Sequence, residues 1–353
     1  MKALLVLEDG TYYQGTAYGK AGATHGEVVF NTCMTGYQEV LTDPSYRGEM
    51  VVMTYPLIGN YGFNTEDSES VTPHVRAFIV RELCDYPSNW RSSVGSDTFF
   101  KDVMVISDID TRHLTRHIRE QGSMYAVLST ESEDIEALAK QARELAAAPK
   151  ELVAEVTRET PRHIEGKGPH VAVLDFGVKE NILRSLAELG AEVTVLPADT
   201  TADAVKALSP DGIVLSNGPG DPRDIPYAIE TIKALMGYRP ILGICLGHQL
   251  LGLALGGTIY KLKFGHHGGN HPVKDLNTGR VHITSQNHNY ALTEGFSPDI
   301  TITHMNLNDN TVEGFVHNDM PVLSVQYHPE AAPGPLDSGY IFHQFYELIK
   351  AGE

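Results

Sequence analysis

Apolar residues come in short runs separated by turn-formers through the first part of the chain. Runs at 3–7, 27–31, 49–55 and 75–80 are punctuated by Asp9-Gly10, Asp43-Pro44 and Gly59-Asn60, the pattern of short strands joined by turns. Two stretches change to a helical period. At 111–120 Leu114 and Ile118 stand four apart before Gly122, and at 134–147 Ile135, Leu138, Ala142 and Leu145 form one apolar face ahead of Pro149. A mixed α+β domain built on a mixed sheet is the expectation for this part. From His170 the rhythm becomes strand, helix, strand: apolar runs at 171–176, 193–197, 212–215 and 241–245 alternate with helical patterns at 179–189 and 226–236. Continuous apolar strands alternating with helices specify an α/β fold, a doubly wound and mostly parallel sheet covered on both faces. Between these parts, 157–169 is polar, with Pro161, Gly166, Gly168 and Pro169 and a single large apolar residue, Ile164. The predicted organisation is a domain at 1–152, a linker at 153–168 and a domain at 169–353.

Length agrees with two cores, since 353 residues exceed what one ordinary core fills. Against 45 acidic side chains stand 27 basic ones, a net charge of −18. That balance repels phosphate backbones and anionic lipid, so neither a nucleic-acid nor a membrane partner is expected. The apolar run at 3–7 is shorter than the ~7–15 residues of a signal-peptide core, and no run approaches the ~18 of a spanning helix. A cytoplasmic location is the expectation. Cys33, Cys84 and Cys245 are odd in number, which predicts reduced thiols rather than a disulfide framework.

Ligands of open parallel sheets bind beyond the carboxyl ends of the strands. Two loops at such ends carry unusual sequences: Ser216-Asn217-Gly218-Pro219-Gly220-Asp221-Pro222 and Gly243-Ile244-Cys245-Leu246-Gly247-His248-Gln249. The second has the form of a nucleophile elbow, in which flanking glycines permit a sharp strand-to-helix turn that exposes the side chain between them. At the start of the helix through Leu250, Leu251, Leu253 and Leu255, unpaired amides favour a thiolate, and the Leu246 N–H faces the oxyanion of a tetrahedral species. An arbitrary cysteine at a strand end is more often a small buried hydrophobe; the two glycines weigh against that here. The candidate base is His328 in Ser324-Val325-Gln326-Tyr327-His328-Pro329-Glu330. Two apart in extended chain, His328 and Glu330 share a side, so the carboxylate can orient the imidazole. On its own, His-x-Glu is a common surface pattern.

Taken together, a Gly-x-Cys-x-Gly-x-Gln elbow followed downstream by His-Pro-Glu resembles the class I glutamine amidotransferases. The resemblance runs the length of the chain and is strongest to the small, glutamine-hydrolysing subunits of the carbamoyl-phosphate synthetase family. It rests on Asn31-Thr32-Cys33-Met34-Thr35-Gly36-Tyr37-Gln38-Glu39, Leu41-Thr42-Asp43-Pro44-Ser45-Tyr46, Asp110-Thr111-Arg112, Asp175-Phe176-Gly177-Val178-Lys179, Phe264-Gly265-His266-His267-Gly268-Gly269-Asn270-His271-Pro272 and Gln286-Asn287-His288. The resemblance implies that Cys245 is the nucleophile, His328 the base and Glu330 its orienter. It implies a glutamine pocket formed by Ser45, Gly218, Gly220, Leu246, Gln249, Asn287, Asn289 and Tyr290. Thiolate attack on the side-chain carboxamide would release ammonia and leave a glutamyl thioester for water. It also implies a heterodimer with a large synthetase subunit that holds the MgATP sites and takes the ammonia, through a covered passage, to make carbamoyl phosphate from bicarbonate for arginine synthesis, pyrimidine synthesis or both. No cofactor or metal is expected on this chain, and the N-terminal domain is expected to contact the large chain.

Two positions depart from the family pattern. Asn289-Tyr290 stands where Gly-Phe is usual, and Asn tolerates the left-handed backbone that glycine would supply. Asp108 stands where glycine is usual, read as a local turn change. Three other signals carry less. His266, His267 and His271 lack a Cys or carboxylate at ligand spacing and read as a shaped loop at a domain or subunit contact. The Gly-Pro-Gly loop lacks the Lys-Ser/Thr of a phosphate cradle, and Asp175-Phe176-Gly177 has none of the other parts of a kinase. Rival functions are a glutaminase serving a GMP, CTP or anthranilate synthetase, a cysteine hydrolase of another amide, and a non-catalytic scaffold.

Overall fold

The computed structural model describes residues 1–148, 150–295 and 297–352; Pro149, expected just behind the second helix, lies outside the described residues. The chain divides into two compact units, Met1–Lys150 with Lys263–His267, and Glu151–Leu262 with Gly268–Glu353.

In the first unit the mixed sheet closes on itself. Seven strands form a barrel in the order Lys2–Leu7, Tyr12–Gly19, Met104–Ser107, Ala77–Ile79, Glu49–Met53, Ala23–Asn31, Met124–Ser129. Pairing is parallel from Met104–Ser107 through Ala23–Asn31 and antiparallel elsewhere. Successive side chains of a strand point to opposite faces, and the packing follows that period. Val28, Phe30, Met50 and Val52 share one core with Leu114 and Ile118, whereas Val29 and Val51 pack with Tyr37, Val40 and Leu41. The two predicted helices are present as Thr111–Gln121 and Ile135–Ala146. Each begins on an aspartate cap, Asp110 accepting from the His113 N–H at 2.9 Å and Asp134 from the Ala137 N–H at 3.0 Å. Asp108 has φ 65°, the left-handed region in which glycine is unstrained, a conformation that asparagine and aspartate adopt more readily than other side chains.

In the second unit a ten-stranded sheet has a parallel centre in the order Glu192–Pro197, His170–Asp175, Gly212–Leu215, Ile241–Ile244, Val322–Val325. Alternate residues feed two cores. Ala172, Leu174, Ile213 and Leu215 pack with Val205, Ile232, Leu246 and Leu250 on one face; Val171, Val173, Val195 and Val214 pack with Ile182, Leu186, Phe342 and Phe345 on the other. Fully burying each such Leu, Ile or Phe contributes about 1.5–3 kcal/mol, which is how helices come to cover both faces. Beyond Val322–Val325 the sheet continues antiparallel through Val312–His317 and Ile300–Asn306, strands the sequence reading did not anticipate.

Two expectations are corrected. The proposed linker, 153–168, is folded into the second unit: Val153 is buried, and Arg162–Ile164 pairs antiparallel with Glu192–Pro197. Its polar composition reflects exposure at a sheet edge rather than missing backbone pairing. The segment 264–272, expected as a loop, lies inside the strand Ile259–Asp275; its glycines and histidines do not prevent extended pairing. No helix among the described residues is long and apolar enough to cross a membrane.

Candidate active site

The site is built where the strand Ile241–Ile244 meets the helix Leu246–Ala254. Cys245, between them, has φ 53° and ψ −104°, a conformation that costs a non-glycine residue on the order of 1–3 kcal/mol and persists only when its surroundings enforce it. They do so through hydrogen bonds on either side: the Cys245 N–H donates to Val325 O and the Gly247 N–H to Ser216 O, both at 3.0 Å. The flanking glycines are required by contact. A Cβ on Gly247 would lie 2.2 Å from Leu215 O, and one on Gly243 would lie 2.8 Å from Gly247 O. The expectation of an exposed side chain is corrected: Cys245 is buried, 2% exposed, with its thiol towards Asn287 O at 3.5 Å.

His328 lies beyond its strand, which ends at Val325; its N–H donates to Ser285 O at 2.9 Å in an antiparallel bridge, and a turn through Pro329 and Glu330 follows, the Ala331 N–H donating to His328 O at 3.2 Å. The expectation of an extended His328-Pro329-Glu330 is therefore corrected; the turn, rather than a strand, brings the two side chains together. Nδ1 lies 2.7 Å from Glu330 Oε1. An ionised carboxylate only accepts, so Nδ1 carries the proton and Nε2 is left for the thiol. Nε2 is buried without a well-aligned hydrogen-bond partner among the described residues. Burial alone would lower the His328 pKa, but the charges of Glu330 and Cys245 outweigh it and raise the value to about 10. Burial would likewise raise that of Glu330; the cations of Lys179 and His328 override it and hold the carboxyl at about 2. A second histidine, His248, three residues after Cys245, is fully buried and pushed down to about 3 by burial and then by His304, with Nδ1 on Ser324 Oγ at 2.9 Å. It packs as a neutral core residue.

Seven of the eight residues expected to form the pocket lie in the second unit. Gly218 packs so closely that a Cβ would sit 2.2 Å from Phe176 O, and Gly220 has φ 87°. Leu246 is the first helical residue, so its N–H has no intrahelical partner. Gln249, one turn later, donates from Nε2 to Tyr290 O at 2.9 Å. Asn287, Asn289 and Tyr290 lie on the strand Val281–Leu292. Asn289 is extended, not left-handed, so its place requires neither glycine nor asparagine, which corrects the expectation for that position. Ser45 lies in the first unit, buried in the turn Pro44–Tyr46 with its N–H on Asp43 Oδ1 at 2.9 Å.

Two residues escaped the sequence reading. Lys179 is 1% exposed, 3.0 Å from Glu330 Oε1, and donates to Ala331 O at 2.5 Å. Gln326 is fully buried beside Gln249. Both stood inside segments already singled out, but a lysine's burial leaves no mark in its neighbours' spacing.

Known proteins resemble the chain over both units. The family described as glutamine amidotransferase class-I matches residues 172–348, and that described as carbamoyl-phosphate synthase small chain, CPSase domain, matches residues 5–128. The carbamoyl phosphate synthase small chain of Syntrophotalea carbinolica is 53% identical over 99% of this chain and 98% of its own length. The carbamoyl phosphate synthase pyrimidine-specific small chain of Bacillus subtilis is 49% identical over 100% and 97%, and the small chain of Aquifex aeolicus 51% identical over 99% of each. With identity of this order across nearly the whole of both sequences, the chain belongs to the carbamoyl phosphate synthase small chains and carries a class-I glutamine amidotransferase domain.

Proposed function

We propose that this chain hydrolyses L-glutamine at Cys245 and supplies the ammonia to a large synthase subunit, which uses MgATP and bicarbonate to form carbamoyl phosphate. The observation that carries the reading is a cysteine held in a left-handed turn at a helix N-terminus, against a buried His328–Glu330–Lys179 chain. In the proposed reaction the Cys245 thiolate adds to the carboxamide carbon, and the Leu246 and Gly218 N–H groups take the oxyanion. Collapse expels ammonia with a proton from the His328 imidazolium and leaves a glutamyl thioester. His328, now neutral, removes a proton from water, which attacks the thioester to give glutamate and restore the thiolate. Glu330 stabilises the imidazolium without itself changing protonation state. No cofactor or metal on this chain enters these steps.

The partner follows from the chemistry of the product. Ammonia released to neutral water is protonated and loses its nucleophilic lone pair, so a bound acceptor and a covered route favour its use. We place the heterodimer in the cytoplasm, in keeping with three free cysteines, and its product in arginine or pyrimidine synthesis. Trapping tests the covalent step: with hydroxylamine present, the complex should form γ-glutamyl hydroxamate at the expense of glutamate. Undiminished glutamate with no hydroxamate would count against a thioester.

A further inference from the structure

The amides of Gln249 and Gln326, 3% and 0% exposed, are oriented by a chain of hydrogen bonds with one solution. Gln249 Nε2 lies 2.9 Å from the backbone carbonyl of Tyr290 and 3.1 Å from Gln326 Oε1. A backbone carbonyl only accepts, so the end of Gln249 that faces it is the NH2 end. The atom of Gln326 facing that NH2 must then be oxygen. Both amide hydrogens of Gln249 are used, and its Oε1 accepts from nothing among the described residues. Gln326 keeps this orientation although its own Nε2 is buried without a partner among the described residues, an arrangement with a desolvation penalty that the fixed acceptor role explains.

Position gives the arrangement a use. Gln249 follows Cys245 by one helical turn, its N–H on Cys245 O at 3.1 Å, so the two side chains rise from the same face of the helix. Gln326 is anchored by its N–H on Glu313 O at 2.9 Å, directly after the strand Val322–Val325 and two residues before His328.

We propose that Gln326 is a positioning residue that locks the Gln249 amide with its oxygen towards the substrate, so that the site selects an N–H donor there. The proposal rests on the reading of Cys245 as a glutaminase nucleophile. Glutamine offers such donors at its α-ammonium and its carboxamide; a flipped Gln249 would set NH2 against NH. Without Gln326 the Tyr290 carbonyl still holds one hydrogen, so the lock weakens rather than disappears.

The test uses the complex with the large subunit and three variants. Gln326→Met keeps length and removes the acceptor; it should raise the KM for glutamine about tenfold with kcat within about threefold and ammonia-dependent synthesis unchanged. Gln326→Glu keeps an oxygen at the same place and should recover most of the KM. Gln249→Ala should raise KM, and adding Gln326→Met to it should raise KM no further. An unchanged KM in Gln326→Met, or effects that multiply in the double variant, would overturn the proposal. A wild-type complex that does not consume glutamine would instead overturn the proposed function, so the two failures are distinct. The analogue 4-carbamoylbutyrate, which lacks the α-ammonium, identifies the donor: it escapes the Gln326→Met effect if the ammonium meets Oε1 and shows it in full if the carboxamide does.

Discussion

The Lys179 ammonium lies 3.0 Å from Glu330 Oε1, the same oxygen that meets His328 Nδ1 at 2.7 Å. One carboxylate thus serves two cations, and none of the three residues is more than 2% exposed. Buried charge is tolerated when it is paired and hydrogen-bonded. With His328 protonated, the group formed by Lys179, Glu330, His328 and Cys245 is neutral only when the cysteine is a thiolate. The lysine therefore does more than fill space: it keeps Glu330 ionised, and Glu330 keeps the imidazole charged and turned.

Removing the lysine should accordingly harm stability before chemistry. Lys179→Met leaves the buried carboxylate with His328 as its remaining cation, for which a loss of up to about 3–5 kcal/mol is expected. Pairing it with Glu330→Gln removes both charges and should return part of that loss. Urea unfolding of the two single variants and the double variant measures the coupling; additive effects would show that the contact is not an ion pair of consequence.

The pH dependence has a defined sign on each side. Glu330 sits at about 2 in the folded chain against an ordinary 4.5, so its stabilisation is complete above 4.5 and is lost as pH falls towards 2. The stability gap between wild type and Glu330→Gln should narrow across that window. His328 sits at about 10 against 6.5, so its contribution is complete below 6.5 and is lost as pH rises through 10. His328→Asn should lack that alkaline decline, and unfolding curves at a series of pH values report both.

The elbow tolerates no Cβ at Gly247, where one would lie 2.2 Å from a backbone oxygen. Because the obstacle is backbone, Gly247→Ala should lose more than the ~1–3 kcal/mol typical of overpacking and should lose glutaminase activity. A thermal melt and a glutamine assay decide it. Wild-type values for both would show that the turn is not enforced as described.

Asn289 occupies an extended strand position, so Asn289→Gly should cost about 0.5–1 kcal/mol of strand stability and change the KM for glutamine less than fivefold, on the order of one weak contact. A large fall in kcat at constant KM would give Asn289 a role in the chemistry.

Much of this is legible in the sequence. The parallel sheet announced itself through runs such as Val171-Ala172-Val173-Leu174, and the elbow through two glycines whose necessity is steric. What escaped notice was non-local. Closure of the first sheet depends on Lys2–Leu7 meeting Met124–Ser129, a pairing that no local period encodes. The edge strand Arg162–Ile164 has a polar sequence because it is exposed, and composition alone read it as a linker. The turn at His328 and the burial of Lys179 follow from tertiary packing rather than spacing. Asn289 misled for a different reason: a usual glycine suggested a left-handed residue where the backbone is simply extended.

The claim on which the rest depends is that Cys245 makes ammonia for another chain. Carbamoyl phosphate synthesis by the complex should be measured for wild type and Cys245→Ser, with glutamine and with ammonium chloride in parallel. The expected result is loss of glutamine-dependent synthesis in Cys245→Ser with ammonia-dependent synthesis retained. Glutamine-dependent synthesis surviving in that variant would contradict the account.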